Sequence, residues 1–300
     1  MRSHTNLDCG GSTPILRSKP RRANFLRSAS PNKAHSHFIL SILCALCLSV
    51  AIPPISFAQQ PQLNVAAAAD LKFAMTDLAA AYEKQSRVHL NLTFGSSGNF
   101  FAQIQNGAPF DIFFSADSDY PRKLNEAGLV LPNTADTYAI GKLVLWSPAS
   151  ERVDPSKSGW QSLLDPSVKK IAIANPDHAP YGRAALEALR NSGLYEKIKD
   201  KLVFGDNIAQ TAQFVQSGNA QIGILAESLI LAPSFGPGHS WKIPQQQYAP
   251  LIQSVVALKS SAHKDAALAF LIWIKTPPAQ ATFEKYGFTK SADDAHPIPR

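Results

Sequence analysis

Between residues 62 and 286 the apolar positions follow two periods, and each change of period marks an element. Val88-His89-Leu90-Asn91-Leu92-Thr93 alternates apolar and polar and predicts a β-strand. Leu71, Met75, Leu78 and Tyr82 recur at helical spacing, straight after the short apolar strand Leu63-Asn64-Val65-Ala66-Ala67. Phe100-Phe101-Ala102-Gln103-Ile104-Gln105 predicts a second helix, stopped by Asn106-Gly107-Ala108-Pro109. Asp111 to Ala116 reads as a buried strand, followed by a helix from about Pro121 to Ala127. This β-α-β-α-β-α order predicts parallel strands with helices on both faces. Thr137 to Trp146 is long for one strand, carries Gly141 inside, and reads as a crossover between two domains. Beyond it, strands are expected at Lys170–Ala174, Leu202–Phe204 and Ile222–Leu225. Helices are expected at Arg183–Asn191 and through Phe214 and Val215. Ile252–Leu258 reads as a return strand, and two helices, His263–Lys275 and Ala279–Tyr286, close the chain.

The turns between these elements carry the chemistry. Four strands run directly into helices. The connections are Ala68-Ala69-Asp70-Leu71, Gly95-Ser96-Ser97-Gly98, Asn175 to Gly182, and Gly205-Asp206-Asn207-Ile208. A helix N-terminus presents free backbone N–H groups and binds anions without any lysine or arginine. Asp70 is the expected N-cap of its helix, and serine in the second turn both caps and offers an O–H donor. In open α/β sheets, ligands sit at the carboxyl ends of strands, where all four turns fall.

Charge and cysteine alter the picture only at the N-terminus. The chain has 300 residues, 29 basic and 22 acidic, for a formal net charge of +7. Arg2, Arg17, Lys19, Arg21, Arg22, Arg27 and Lys33, against Asp8 alone, lie in residues 1–58, so the remainder holds 22 basic and 21 acidic groups. A nearly neutral remainder argues against nucleic acid as a partner. Cys9, Cys44 and Cys47 also precede residue 59. A cysteine-free remainder suits an oxidising compartment. Phe38 to Ile52 forms one apolar run, ended by Pro53 and Pro54, and Ser56-Phe57-Ala58 has the small-x-small pattern of a cleavage site. Residues 1–58 therefore read as a signal peptide and the mature chain as starting near Gln59. A retained N-terminal anchor is the alternative. Cys44-x-x-Cys47 lies within this run and reads as leader rather than as a metal or redox pair.

Other chemistries find little support. Gly95-Ser96-Ser97-Gly98 is not the Gly-x-Ser-x-Gly elbow of a hydrolase. His89, His178, His239, His263 and His296 show no spacing for a general base or a metal, and only His178 stands near one of the turns. Phe100, Phe101, Phe113 and Phe114 read as core.

Five stretches carry a resemblance. They are Val65-Ala66-Ala67-Ala68-Ala69-Asp70-Leu71, Phe94-Gly95-Ser96-Ser97-Gly98 with Gln103-Ile104 and Gly107 to Asp111, Phe114-Ser115-Ala116-Asp117, Asn175-Pro176 to Ala179-Pro180-Tyr181-Gly182, and Tyr138 to Trp146. Together, over nearly all of residues 62–290, they are similar to the periplasmic molybdate-binding proteins of ABC importers, which are class II solute-binding proteins. The resemblance implies an α/β, two-lobed periplasmic binding protein type II fold, each lobe a mixed, mostly parallel sheet flanked by helices. Lobe 1 would comprise residues 59–140 and 250–300, and lobe 2 residues 141–249. It implies a periplasmic, non-enzymatic, monomeric protein without a cofactor. Such a protein captures molybdate, and tungstate with it, for a membrane permease of an ABC importer. Sulfate, phosphate or another oxyanion is the alternative cargo.

Carried over turn by turn, the resemblance implies a site made of neutral donors: Ala69 and Asp70 through backbone N–H, Ser97 through hydroxyl and backbone, and Tyr181 and Ile208 through backbone N–H. Some family members place a tyrosine hydroxyl where this chain has Ala226; the Tyr181 hydroxyl is the candidate replacement. A carboxylate beside a dianion repels it. The Asp70 side chain is therefore expected to turn back and cap its own helix.

Overall fold

The computed structural model describes residues 61–290. The expected leader and cleavage site, all three cysteines and His296 lie outside the described residues.

The first sheet is built from β1 (Gln62–Ala68), β2 (His89–Gly95), β3 (Ile112–Ser115) and β4 (Asp136–Gly141). Helices α1 (Lys72–Ser86), α2 (Ser97–Gln105) and α3 (Asp119–Glu126) connect them. The second sheet is built from β5 (Leu143–Pro148), β6 (Ile171–Ala174), β7 (Leu202–Gly205), β8 (Ile222–Ala226) and β9 (Gly238–Lys242). Its connections carry α4 (Pro155–Ser158), α5 (Pro180–Asn191), α6 (Tyr195–Ile198), α7 (Ile208–Gln216) and α8 (Glu227–Ile230). The chain then returns to the first sheet as β10 (Leu251–Ala257) and ends in α9 (Lys264–Trp273) and α10 (Pro277–Lys285).

Strand order is β2-β1-β3-β10-β4 in one sheet and β7-β6-β8-β5-β9 in the other. In each sheet the strands that feed helices pair in parallel, and the crossover and return strands pair antiparallel. The parallel centre explains the composition of β1. It lies between β2 and β3, with Val65 opposite both Leu92 and Ile112, so both its edges are paired, and the burial of successive residues shows that both its faces are covered. Val65, Ala66 and Ala67 are accordingly buried. One contiguous apolar core contains residues of both sheets, and a smaller cluster around Phe100, Phe113 and Leu124 lies beneath α2 and α3.

The run Thr137–Trp146 is, as its length and internal glycine suggest, a crossover: it breaks at Lys142, and its halves belong to different sheets. Gly141 sits at that break because a β-carbon there would collide with the Tyr181 hydroxyl. One detail differs from the sequence-based expectations: Asp70 does not cap. Ala68 takes the cap position, with extended backbone (φ −55°, ψ 139°), and residues 69–71 form a 3-10 turn leading into α1. The turn tightens one residue earlier than the helical spacing implied, so the carboxyl is carried past the cap and into the interior.

Candidate functional site

The four strand-to-helix turns meet at one small cavity. Ala69, Asp70, Ser97, Tyr181 and Ile208 all line it, together with Ser96, Asn207 and small or apolar neighbours, and no lysine or arginine does. The space open to the centre of a water molecule is about 10 Å3. That is room for about one water molecule.

Which donors face this cavity follows from which are engaged elsewhere. Ser96 caps α2 and its Oγ accepts from Asn99 N at 3.4 Å. The Ser96 hydroxyl donates to the His178 carbonyl at 2.9 Å, so its 2.8 Å contact with His178 Nδ1 requires the ring nitrogen to donate. Gly98 N–H donates to the same carbonyl at 2.9 Å. A β-carbon on Gly98 would lie 2.6 Å from that oxygen, so glycine alone permits the approach. Ser97 is different. Its Oγ accepts from Ala116 N at 2.9 Å, which leaves its own proton to be donated. As the first residue of α2, its N–H has no acceptor within the helix.

The second-sheet turns follow the same logic. Asn207 caps α7, and its Oδ1 accepts from Ala209 N and Gln210 N, both at 3.0 Å. That leaves the Ile208 N–H, at the first position of the helix, without a partner in its own turn. In α5 the first residue is Pro180, which has no N–H, so Tyr181 supplies the first donor. Gly182 N and Arg183 N instead donate to Ala179 O at 3.0 and 3.1 Å. Ala69 and Asp70 open the 3-10 turn after β1, and their N–H groups likewise precede any acceptor within it. The arrangement assembles uncharged donors from four chain crossings around one point.

Behind these donors lies a buried polar network that the sequence reading missed. Gln253 Nε2 donates to Asp70 Oδ2 at 2.6 Å and lies 3.3 Å from the Tyr181 hydroxyl. Tyr138 donates to Gln253 Oε1 at 2.7 Å, and Ser228 Oγ donates to Asp70 O at 2.8 Å. The signal available was Gln253-Ser254, two polar residues in the otherwise apolar run Leu251–Ala257; both are fully buried. The Tyr181 hydroxyl belongs to this network, while Ala226, at the end of β8, is buried opposite Leu143. Burial pushes the Asp70 carboxyl up to about 6, against the Gln253 and Tyr181 side chains and the backbone N–H groups of Asp70 and Leu71, which pull it down. The Tyr138 and Tyr181 phenols are held well above 10 by burial first, then by the Asp70 charge.

At the rim, Arg183 on α5 pairs with Asp117 beyond β3, and Asn99 on α2 reaches Asp206 before α7 at 3.3 Å. His178, engaged with Ser96 and 3.5 Å from Asp206, belongs to this rim and does not line the cavity. Among the described residues, no group of His, Cys, Asp and Glu could hold a metal ion, and no helix is long and apolar enough to cross a membrane.

Three comparisons bear on this geometry. Residues 63–289 match the family model described as bacterial extracellular solute-binding protein. The molybdate-binding protein ModA of Rhodobacter capsulatus is 38% identical over 244 residues, 81% of this chain and 93% of that protein. That of Azotobacter vinelandii is 39% identical over 232 residues, 77% and 91% respectively. The solved structure of the Azotobacter vinelandii periplasmic molybdate-binding protein superposes with a TM-score of 0.72 at 36% identity, covering 76% of this chain and 99% of that one.

Proposed function

The chain belongs to the bacterial extracellular solute-binding protein family, and from that membership we propose that it captures molybdate, and tungstate with it, and passes it to the permease of an ABC importer. Binding takes place without catalysis or cofactor, in the periplasm, by a monomer released from its leader. The ion sits among the N–H groups of Ala69, Asp70, Ser97, Tyr181 and Ile208 and the Ser97 hydroxyl. Residues 59–140 with 250–300 form one lobe and 141–249 the other, and they close over it.

One observation carries this reading: uncharged donors from four helix starts line a single cavity that no cation lines. Hydrogen bonds to a charged group are worth about 1.5–3 kcal/mol each. Each helix dipole adds about 0.3–1 kcal/mol. Half a dozen such contacts cover the roughly 8–12 kcal/mol that micromolar to nanomolar binding requires. Such donors suit a fully deprotonated oxyanion, because none can accept a proton from the ligand.

Asp70 supplies the observation behind a second reading. An ionised carboxylate at the cavity would accept a hydrogen bond from a protonated oxyanion such as phosphate. Titration with molybdate, tungstate, sulfate and phosphate, followed by melting temperature, separates the two. Molybdate and tungstate are expected to raise the melting temperature by several degrees at saturating concentration, and stabilisation by phosphate alone would contradict the assignment.

A further inference from the structure

Asp70 is the one carboxyl among the residues lining the cavity, and it lies where no cation faces it. The residue is 1% exposed. Oδ2 is held by Gln253, but Oδ1 is buried with no hydrogen-bond partner. No cation sits opposite it. Tyr181 from α5 and Tyr138 from β4 are neutral phenols; the Tyr181 hydroxyl and the N–H groups of Asp70 and Leu71 favour the carboxylate, but burial outweighs them. The β10 strand contributes the uncharged amide of Gln253. From α8 comes Glu227, itself buried and bonded to Lys242 at 2.6 Å. Within α1 the nearest cation in sequence, Lys72, lies over the Phe73 ring, and α7 has no titratable residue. β2 offers only His89, at its far end against Glu83. A buried carboxylate oxygen without a partner is costly, and a dianion held by the adjacent N–H groups would make it more so.

We propose that capture of the dianion is coupled to proton uptake by Asp70, so that a neutral carboxyl, not a carboxylate, faces the bound ion. The proton comes from solvent and forms one O–H bond at Oδ1. Oδ1 has no hydrogen-bond partner in the protein, so the new O–H is uncommitted, in a chain that has alanine at position 226. Oδ2 keeps its bond from Gln253, and no other bond changes. Burial already raises the carboxyl to about 6 without any ion beside it. A dianion raises it further, through the pH range where the protein works. Asp70 thereby makes affinity pH-dependent and selects against oxyanions that bring their own proton. This inference deepens the molybdate reading and rests on it.

The test is calorimetric titration of the protein with sodium molybdate at about pH 7 in two buffers of different ionisation enthalpy, which counts protons exchanged per ion. Wild type is expected to take up between about half and one proton per ion, with affinity weakening by up to about tenfold per pH unit between about pH 6.5 and 8.5. Asp70→Asn is expected to take up none and to show a flat profile. Molybdate binding by wild type with no proton uptake, or an Asp70→Asn protein with undiminished uptake, would overturn the proposal. Should Asp70→Asn fail the folding check by thermal melt, the wild-type proton count alone decides. No binding of molybdate at any pH, with heat from phosphate instead, would overturn the assigned cargo and this inference with it.

Discussion

Ser97 and Asp70 stand side by side at the cavity and act in opposite ways. Ser97 is poised: Ala116 N–H occupies its acceptor side and leaves its proton to the ligand. Ser97→Ala is expected to weaken molybdate binding by roughly ten- to a hundredfold, one charge-assisted hydrogen bond, as read by calorimetry. It also leaves the buried Ala116 N–H unpaired, so the ligand-free protein is expected to lose about 1–3 kcal/mol in denaturant titration. Asp70 is strained electrostatically. Its folded value of about 6 lies above the ordinary 3.8, so the stability it contributes is fully present below 3.8 and is lost as pH rises through 6. At about 1.36 kcal/mol per unit, the shift amounts to about 3 kcal/mol. Asp70→Asn lacks this term. The stability difference between the two proteins, measured without ligand, is therefore expected to move in favour of Asp70→Asn by up to that amount between about pH 4 and pH 7. That Ser97 lines the cavity could be read from sequence because the Gly95-Ser96-Ser97-Gly98 turn places it at the start of a helix. The fate of the Asp70 side chain could not. It depends on Gln253 and Tyr181, 183 and 111 positions away along the chain in the sense of their numbering, and on a 3-10 turn that local spacing does not reveal.

Among the elements, the helices that open on the cavity owe their placement to caps and glycines that are visible in sequence. Ser96 before α2 and Asn207 before α7 are such residues, and each takes up later N–H groups of its own turn. Gly98 has a further duty, since its N–H meets the His178 carbonyl of the turn before α5. Gly98→Ala places a β-carbon against that oxygen and the Tyr120 hydroxyl. The expected result is a tenfold or greater loss of molybdate affinity, with a smaller change in the melting temperature of the ligand-free protein, since the collision occurs only where these two turns meet. Elements with strong periodicity, β1, β2, α1 and α7, were legible within a few residues. The edge strand β9 was not. Gly238-His239-Ser240-Trp241-Lys242 carries only one large apolar residue, and its pairing with β5 supplies what its composition does not. The Lys142 break was legible only from the length of the run and from Gly141, since apolar residues flank it on both sides: strands buried in both sheets make the same demand on side chains.

For the molecule as a whole, the first sheet supplies Ala69, Asp70 and Ser97 and the second supplies Tyr181 and Ile208. Four contacts link the parts of the chain that belong to the two sheets: Ser96 with His178, Asn99 with Asp206, Arg183 with Asp117, and Gln253 with Tyr181. The exposed rim pairs contribute little each. On the proposed reading the donors at the centre dominate, because they would act where water is excluded. A crystal of the protein grown with molybdate, with anomalous scattering recorded at the molybdenum edge, tests this most directly. A single peak is expected in the cavity, its oxygens within hydrogen-bonding distance of Ser97 Oγ and of the N–H groups of Ala69, Asp70, Ser97, Tyr181 and Ile208. A peak elsewhere, or one held mainly by lysine and arginine side chains, would contradict the claim that uncharged donors bind the ion.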